Sequence, residues 1–332
     1  MIDYRDISVV VQGPIEHVDN ITKKVCDDVR RVLPGSEIIL STWEGSDSEG
    51  IDYDYLVINP NIKANRIIMP WTDIDKLHTI NHQLITTLNG IKRCGRKYVL
   101  KLRSDTTVLS DNFINFYEKY TKYPTDDNIQ WKIFSHRIVC LPTYNVKRAN
   151  GLPYNICDWV FFGKFSDLYD LFNIPLVDTY NLFVRDGEKY PRVEDNFGSE
   201  QIIWIECLQK HRNVEIKNAV DKNANIIEDF EKSLANNFIT ISAKLFGIYN
   251  MKYGYGAYAR DPYLSHGFYT LTEWECLYNK YGGGNIKIPF RFKERVIYPI
   301  YLAKDQMMRF ALFNKMYTSF LKIARSFGEK ND

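Results

Sequence analysis

Short β-branched apolar runs alternate along this chain with stretches in which apolar residues recur every three or four positions. Ile7-Ser8-Val9-Val10-Val11 ends at Gly13-Pro14, which predicts a strand running into a loop. Ile21, Val25, Val29 and Val32 follow at helical spacing, with Asp19 or Asn20 at the cap and Pro34-Gly35 as the stop. Glu37 to Trp43 and Tyr55 to Ile58 predict a second and a third strand. Leu77, Ile80, Leu84, Leu88 and Ile91 predict a helix, and Lys97 to Leu102 a fourth strand. Strands separated by helices imply an α/β domain of Rossmann-like type, with a mostly parallel sheet covered on both faces. The second half is less regular and rich in aromatic residues. Asn155 to Gly163 reads as a buried strand, Ser199 to Leu208 as a helix with Ser199 at its N-cap, and Lys244 to Tyr281 as a Gly/Tyr-rich loop region.

Ligands of open parallel sheets bind beyond the carboxyl ends of the strands. The polar residues expected there are Gln12, Gly13 and Pro14 after the first strand, Ser41, Thr42 and Trp43 at the end of the second, and Arg103-Ser104-Asp105 after the fourth. A diphosphate bound at such an end needs its charge balanced, by a divalent metal on a carboxylate or by basic side chains. Asp105 is the expected ligand of such a metal (Mn or Mg), with Lys101 and Arg103 as the cations that would meet phosphate directly. Two literal Asp-x-Asp pairs are decoys by position. Asp52 and Asp54 lead into a strand from its N-terminal side, and Asp73 and Asp75 fall at the start of the predicted helix, where Asp is favoured anyway.

Two carboxylates compete for the role of general base. Glu200 falls in the first turn of a predicted helix, and Asp158 falls inside an apolar strand, a costly position without a partner or a task. Glu200 ranks first as base, with Asp158 as acceptor-binding group or alternative base. Trp43 and Trp159 are suited to stacking on a ring or to the core. His17, His78, His136, His211 and His266 show no ligand spacing.

Composition narrows the class. The chain has 332 residues, 45% of them hydrophobic, enough for one large core. Its six cysteines are scattered with no C-x-x-C pair, as expected of a reducing cytoplasm rather than a disulfide framework or zinc ribbon. A leader peptide is not expected from the polar start Met1-Ile2-Asp3-Tyr4-Arg5-Asp6, nor a spanning helix from any apolar run. Charge is uneven. Residues 286–332 hold ten Lys/Arg against four Asp/Glu, net +6, and residues 1–285 hold 33 against 37, net −4. The expected division is therefore a catalytic domain over 1–285 and a basic tail over 286–332, with no nucleic-acid partner for the body. Arg291, Lys293 and Arg295 precede the tail helix. Within it, Lys304, Lys315, Lys322 and Arg325 fall on one face beside an apolar arc of Met308, Leu312, Met316, Phe320, Ile323 and Phe327. This pattern fits peripheral contact with an anionic membrane through 297–327, and equally a helix docked on the domain.

Several of these motifs recur in one order in a known family. Val9-Val10-Val11-Gln12-Gly13-Pro14-Ile15, Pro34 to Gly45, Asn81-His82-Gln83 with Thr86, Thr87 and Gly90, and Lys101-Leu102-Arg103-Ser104-Asp105 resemble the WavE-type lipopolysaccharide biosynthesis family. Tyr154 to Gly163 and Glu200-Gln201 continue the resemblance more loosely, and His82 and Asn155 depart from it. The resemblance implies a GT-A glycosyltransferase. Such an enzyme moves a sugar from a nucleotide-sugar donor to a lipid-linked or oligosaccharide acceptor of lipopolysaccharide or capsule, at the cytoplasmic face of the membrane. It also adds Gln83 to the donor-site residues. The alternatives are a sugar-phosphate transferase or nucleotidyltransferase on the same donor class, and a non-catalytic carbohydrate-binding subunit. A nucleotidyltransferase is expected to carry a longer glycine-rich loop than Gln12-Gly13-Pro14.

Overall fold

In a computed structural model, which describes residues 2–69, 74–123, 129–148, 151–178, 181–254, 267–300 and 303, the alternating first half forms as expected. Strand β1 (Ile7–Gln12) leads to helix α1 (Ile21–Val32), β2 (Glu37–Trp43) and β3 (Tyr55–Asn59). A hairpin of β4 (Asn65–Ile68) and β5 (Asp75–His78) precedes α2 (Ile80–Arg93), β6 (Tyr98–Arg103) and β7 (Thr106–Val108). The second half contributes α3 (Asn112–Tyr120), β8 (Ile138–Cys140), β9 (Val160–Lys164), α4 (Phe165–Phe172), α5 (Ser199–Gln209) and α6 (Ala224–Asn237). It continues with β10 (Phe238–Thr240), α7 (Ala243–Phe246), β11 (Ile248–Asn250) and α8 (Leu271–Tyr281).

Seven strands make one sheet in the order β10-β8-β9-β6-β1-β2-β3. β6, β1, β2 and β3 are parallel, and β10 is parallel to β8. Only β9 runs against its neighbours. The protein is thus an α/β domain on a mostly parallel central sheet. Helices on both faces explain why β1 is buried at every position and reads as a continuous apolar run rather than an alternating one. α2 lies so close to β1 that a Cβ on Gly90 would stand 2.5 Å from Val10 Cγ1. Only glycine fits there.

The pattern misleads in five places. Leu77 is not helical: it lies exposed on β5, and α2 starts at Ile80. Asp75 accordingly caps no helix but pairs with Arg66 across the hairpin at 2.7 Å; Asp73 lies outside the described residues. Asn20 holds the cap position of α1 in a left-handed conformation without a side-chain cap bond. The strand expected from Asn155 begins only at Val160, and the cap of α5 is Gly198, not Ser199. Within the Gly/Tyr-rich region, α7, β11 and α8 are regular; α8 starts with a capping box of Thr270 and Glu273.

The second half is held by buried polar groups. Arg137 is fully buried, and its guanidinium donates to Tyr120 O (3.0 Å), Lys122 O (2.8 Å), Ala235 O (2.8 Å) and Gly282 O (2.6 Å). These carbonyls belong to the C-terminal ends of α3, α6 and α8, where the helix dipoles put negative charge. Burial pulls its pKa below the usual arginine value. The start of the basic tail is docked on α8: Arg291 pairs with buried Glu275 at 2.6 Å, and Glu294 accepts from Thr272 N at 2.9 Å. Beyond Ile300, all of the tail except Ala303 lies outside the described residues. No helix among the described residues is long and apolar enough to cross a membrane.

Candidate active site

A cleft opens at the carboxyl ends of β1, β2 and β6, where parallel-sheet topology directs ligands. Gln12, Gly13, Pro14, Trp43, Gln83, Arg103, Asp105 and Asp158, all expected from the sequence, line it together with Glu16, Thr79, His82, Thr86, Ser104 and Lys252.

Its floor is fixed by the loop after β1. Gly13 takes φ +121°, a left-handed conformation that favours glycine, and its N–H donates to Ser41 O at 3.1 Å. Ser104 N donates to Gln12 O (2.9 Å) and Ser104 Oγ to Pro14 O (2.6 Å). The Gln12 side chain accepts from Thr86 Oγ1 at 2.7 Å, so α2 fixes it from above. Ser41 and Thr42 are fully buried and do not line the cleft. Ser41 donates to Thr86 O at 2.7 Å, and both receive Asn59 as a neighbour beneath the site. Trp43 reaches the cleft, edge-on to His82 at 5.0 Å between ring centres.

Two of the acidic lining residues are held in ion pairs. Asp105 Oδ1 accepts from Arg103 Nε at 3.0 Å and from Asn250 Nδ2 at 2.9 Å, while Oδ2 accepts from Arg103 Nη2 at 2.7 Å. Burial works against the Arg103 charge, but the Asp105 pair outweighs it and holds the guanidinium above its ordinary range. The same guanidinium lies 5.6 Å from the Trp159 ring and 5.9 Å from that of Tyr253. Across the cleft mouth, Glu16 pairs with Lys252.

Asp158 arrives from the other half of the chain. Because β9 is antiparallel to β6, with Leu102 opposite Val160, the residues just before β9 stand at the carboxyl end of β6. Asp158 therefore sits in a loop at the cleft, not inside a strand. Its backbone carbonyl accepts from Gln83 Nε2 at 3.3 Å and from Lys101 Nζ. Lys101 is fully buried under this loop rather than in the cleft, and burial lowers its pKa to about 8. Glu200, in the first turn of α5, is half-buried within electrostatic reach of Cys157 and does not line the cleft.

Sequence reasoning missed Glu16, Thr79 and Lys252. Lys252 comes from a turn after β11, which pairs antiparallel with β7 directly behind Asp105. Buried Asn250 shapes that turn: its Oδ1 accepts from Lys252 N (3.0 Å) and Tyr253 N (2.8 Å), and its Nδ2 donates to Asp105. The one local signal was the β-prone Ile248-Tyr249-Asn250, inside a stretch read as loop.

The residues do not fit a divalent metal at Asp105, because the Arg103 guanidinium occupies both carboxylate oxygens and its charge would repel the ion. Among the described residues, one group offers metal-type ligand atoms within 4.8 Å of one another: Asp170, Cys207 and His211, none of which lines the cleft. There Lys210 Nζ already holds Asp170 at 2.7 Å, and burial drives the Cys207 thiol well above its usual range, against the thiolate a metal needs. The decoy pair Asp52 and Asp54 is taken by Arg30 at 3.0 Å each.

No curated protein matches the sequence. Among solved structures, a likeness exists to 4-diphosphocytidyl-2C-methyl-D-erythritol synthase from Anaerococcus prevotii. It has 13% identity over 67% of this chain and 92% of that one, with a TM-score of 0.29, too slight to bear on function. The WavE lipopolysaccharide synthesis family matches residues 7–300, a span that contains every lining residue of the cleft, and the chain belongs to that family.

Proposed function

We propose that this protein is a GT-A glycosyltransferase of lipopolysaccharide or capsule assembly, moving a sugar from a nucleotide-sugar donor to a lipid-linked or oligosaccharide acceptor. One observation carries the reading. A single cleft at the carboxyl ends of β1, β2 and β6 brings together an aromatic platform (Trp43), a cation (Arg103) and a carboxylate (Asp158). The platform suits a nucleobase or sugar ring, and the cation suits a diphosphate. The carboxylate suits proton abstraction from an acceptor hydroxyl. Asp158 is preferred to Glu200 as that base because it lines the cleft, and Glu200 does not. Lys101 then acts as a positioning residue: it holds the Asp158 carbonyl from beneath.

Incubation of the full chain with a panel of nucleotide sugars, followed by detection of released nucleoside diphosphate, tests the reading. Slow hydrolysis of one donor is expected. Release of pyrophosphate from a nucleoside triphosphate and a sugar phosphate would instead identify a nucleotidyltransferase, and no turnover of any donor would favour a binding subunit. The segment 297–327 is proposed as the contact with the cytoplasmic leaflet, through its basic residues and apolar arc. Arg291 contributes little to it, since it is committed to Glu275.

A further inference from the structure

We infer that the cleft binds the substrate's diphosphate through Arg103 and Lys252 without a divalent metal, and that Asp105 serves to orient Arg103 rather than to ligate an ion. The inference rests on the nucleotide-sugar reading only for the source of the diphosphate; the anion subsite stands on the following geometry.

Two of the three carboxylates lining the cleft are held by a cation. Asp105 has Arg103, Glu16 has Lys252, and Lys101 lies beneath Asp158, on whose carbonyl its ammonium rests. A hard divalent ion needs carboxylate lone pairs and a site free of neighbouring positive charge. Here the two oxygens of Asp105 are spent on the Arg103 fork and on Asn250. The fork leaves guanidinium N–H groups over, and the Arg103 side chain is 31% exposed on the cleft side, against 4% for Asp105. Asp105 is thus the buried anchor and Arg103 the exposed charge, the arrangement expected when the arginine faces a phosphate.

Lys252 is set by the same anchor. Asn250 links Asp105 to the turn that carries Lys252, so one buried amide fixes both cations. Glu16 holds the Lys252 ammonium at the rim, where an incoming anion competes for it. The N-terminal end of α2, with Thr79, His82 and Gln83 at the cleft, adds its dipole in the same sense.

Titration calorimetry of the full chain with inorganic pyrophosphate, in EDTA and then in Mn2+, decides the question with Arg103→Gln and Lys252→Gln beside the wild type. The inference expects wild-type binding in EDTA, at least 10-fold weakened in each variant whether or not Mn2+ is present. A metal site at Asp105 predicts the reverse for Arg103→Gln. Freed of its guanidinium, Asp105 would bind Mn2+ better, and Mn2+-dependent pyrophosphate binding would hold or strengthen. That result overturns the inference, as does wild-type binding seen only with Mn2+ or in neither condition. Circular dichroism and Tm confirm that both variants are folded. If pyrophosphate binds as expected but no nucleoside diphosphate competes with it, the inference stands and the nucleotide-sugar reading falls.

Discussion

Two arginines mark the two halves of this molecule. Arg103, at the end of the parallel half, meets a carboxylate and keeps part of its guanidinium in the cleft. Arg137, in the second half, donates to backbone carbonyls at the ends of three helices, lies over the rings of Tyr123 and Tyr278, and is closed off from solvent. A carboxylate partner can be exchanged for another anion, so the Arg103 pair can open towards a ligand. Four carbonyls fixed by helix ends cannot be exchanged without taking the helices apart. The first arginine belongs to the chemistry and the second to the scaffold.

The largest expected effect tests the scaffold side. Arg137→Met leaves four helix-end carbonyls without a donor and should cost about 3–5 kcal/mol, read as a loss of denaturant midpoint or as insoluble protein. A variant with near-wild-type stability would erase the contrast between the arginines. On the chemical side, Asp105→Ala should lower turnover about 10³-fold, comparable to removing a preorganised electrostatic group, while Tm falls far less than in Arg137→Met. Equal damage to stability in both variants would show that Asp105 is scaffold too.

A smaller effect separates the two carboxylates. Asp158→Asn should reduce turnover by about 10² or more with donor affinity little changed, and Glu200→Gln should leave turnover within a few-fold of the wild type. The opposite pattern would return the role of base to Glu200.

The last effect concerns Lys101, a second fully buried cation. Its folded pKa of about 8 lies below its unfolded value, so the unfolded chain binds the proton more tightly between those values. Burying its charge therefore costs stability fully below pH 8, and the cost fades as pH rises towards 10.5. The stability gap between Lys101→Met and the wild type should shift by up to about 3 kcal/mol in the wild type's favour from pH 7 to pH 10, measured by urea unfolding. A gap independent of pH would mean that the ammonium is not desolvated.

The halves also differ in how far the sequence discloses them. β1, α1, β2 and β6 follow from local periodicity because parallel strands buried on both faces are apolar throughout, and turns at Gly13-Pro14 and Pro34-Gly35 punctuate them; β3, a largely exposed edge strand, shows only as a short apolar run. The cleft residues at those strand ends follow from topology alone. In the second half, strands of three residues such as β8, β10 and β11 are too short to show a period, and their existence depends on partners far along the chain. Ser41 and Thr42 lie near the end of β2 and Lys101 lies within β6, yet all three are buried and none lines the cleft. Which side chains reach a cleft depends on the loops and helices that cover the sheet, and a strand's own sequence does not encode them. Lys252 was hidden for the same reason.

The pairing of β11 with β7 has a consequence for the order in which the protein becomes functional. The four parallel strands β1, β2, β3 and β6 are complete once residue 103 has been made. The turn that carries Lys252 joins them only when Ile248, 140 positions beyond Val108, pairs with it to close the β7–β11 ladder. Closing a loop of that length costs entropy that local contacts do not repay, and long-range pairings form slowly. A chain emerging from the ribosome therefore holds a sheet and half a cleft well before it holds a binding site. Nascent chains stopped before residue 250 should fold their first half without capturing an anion.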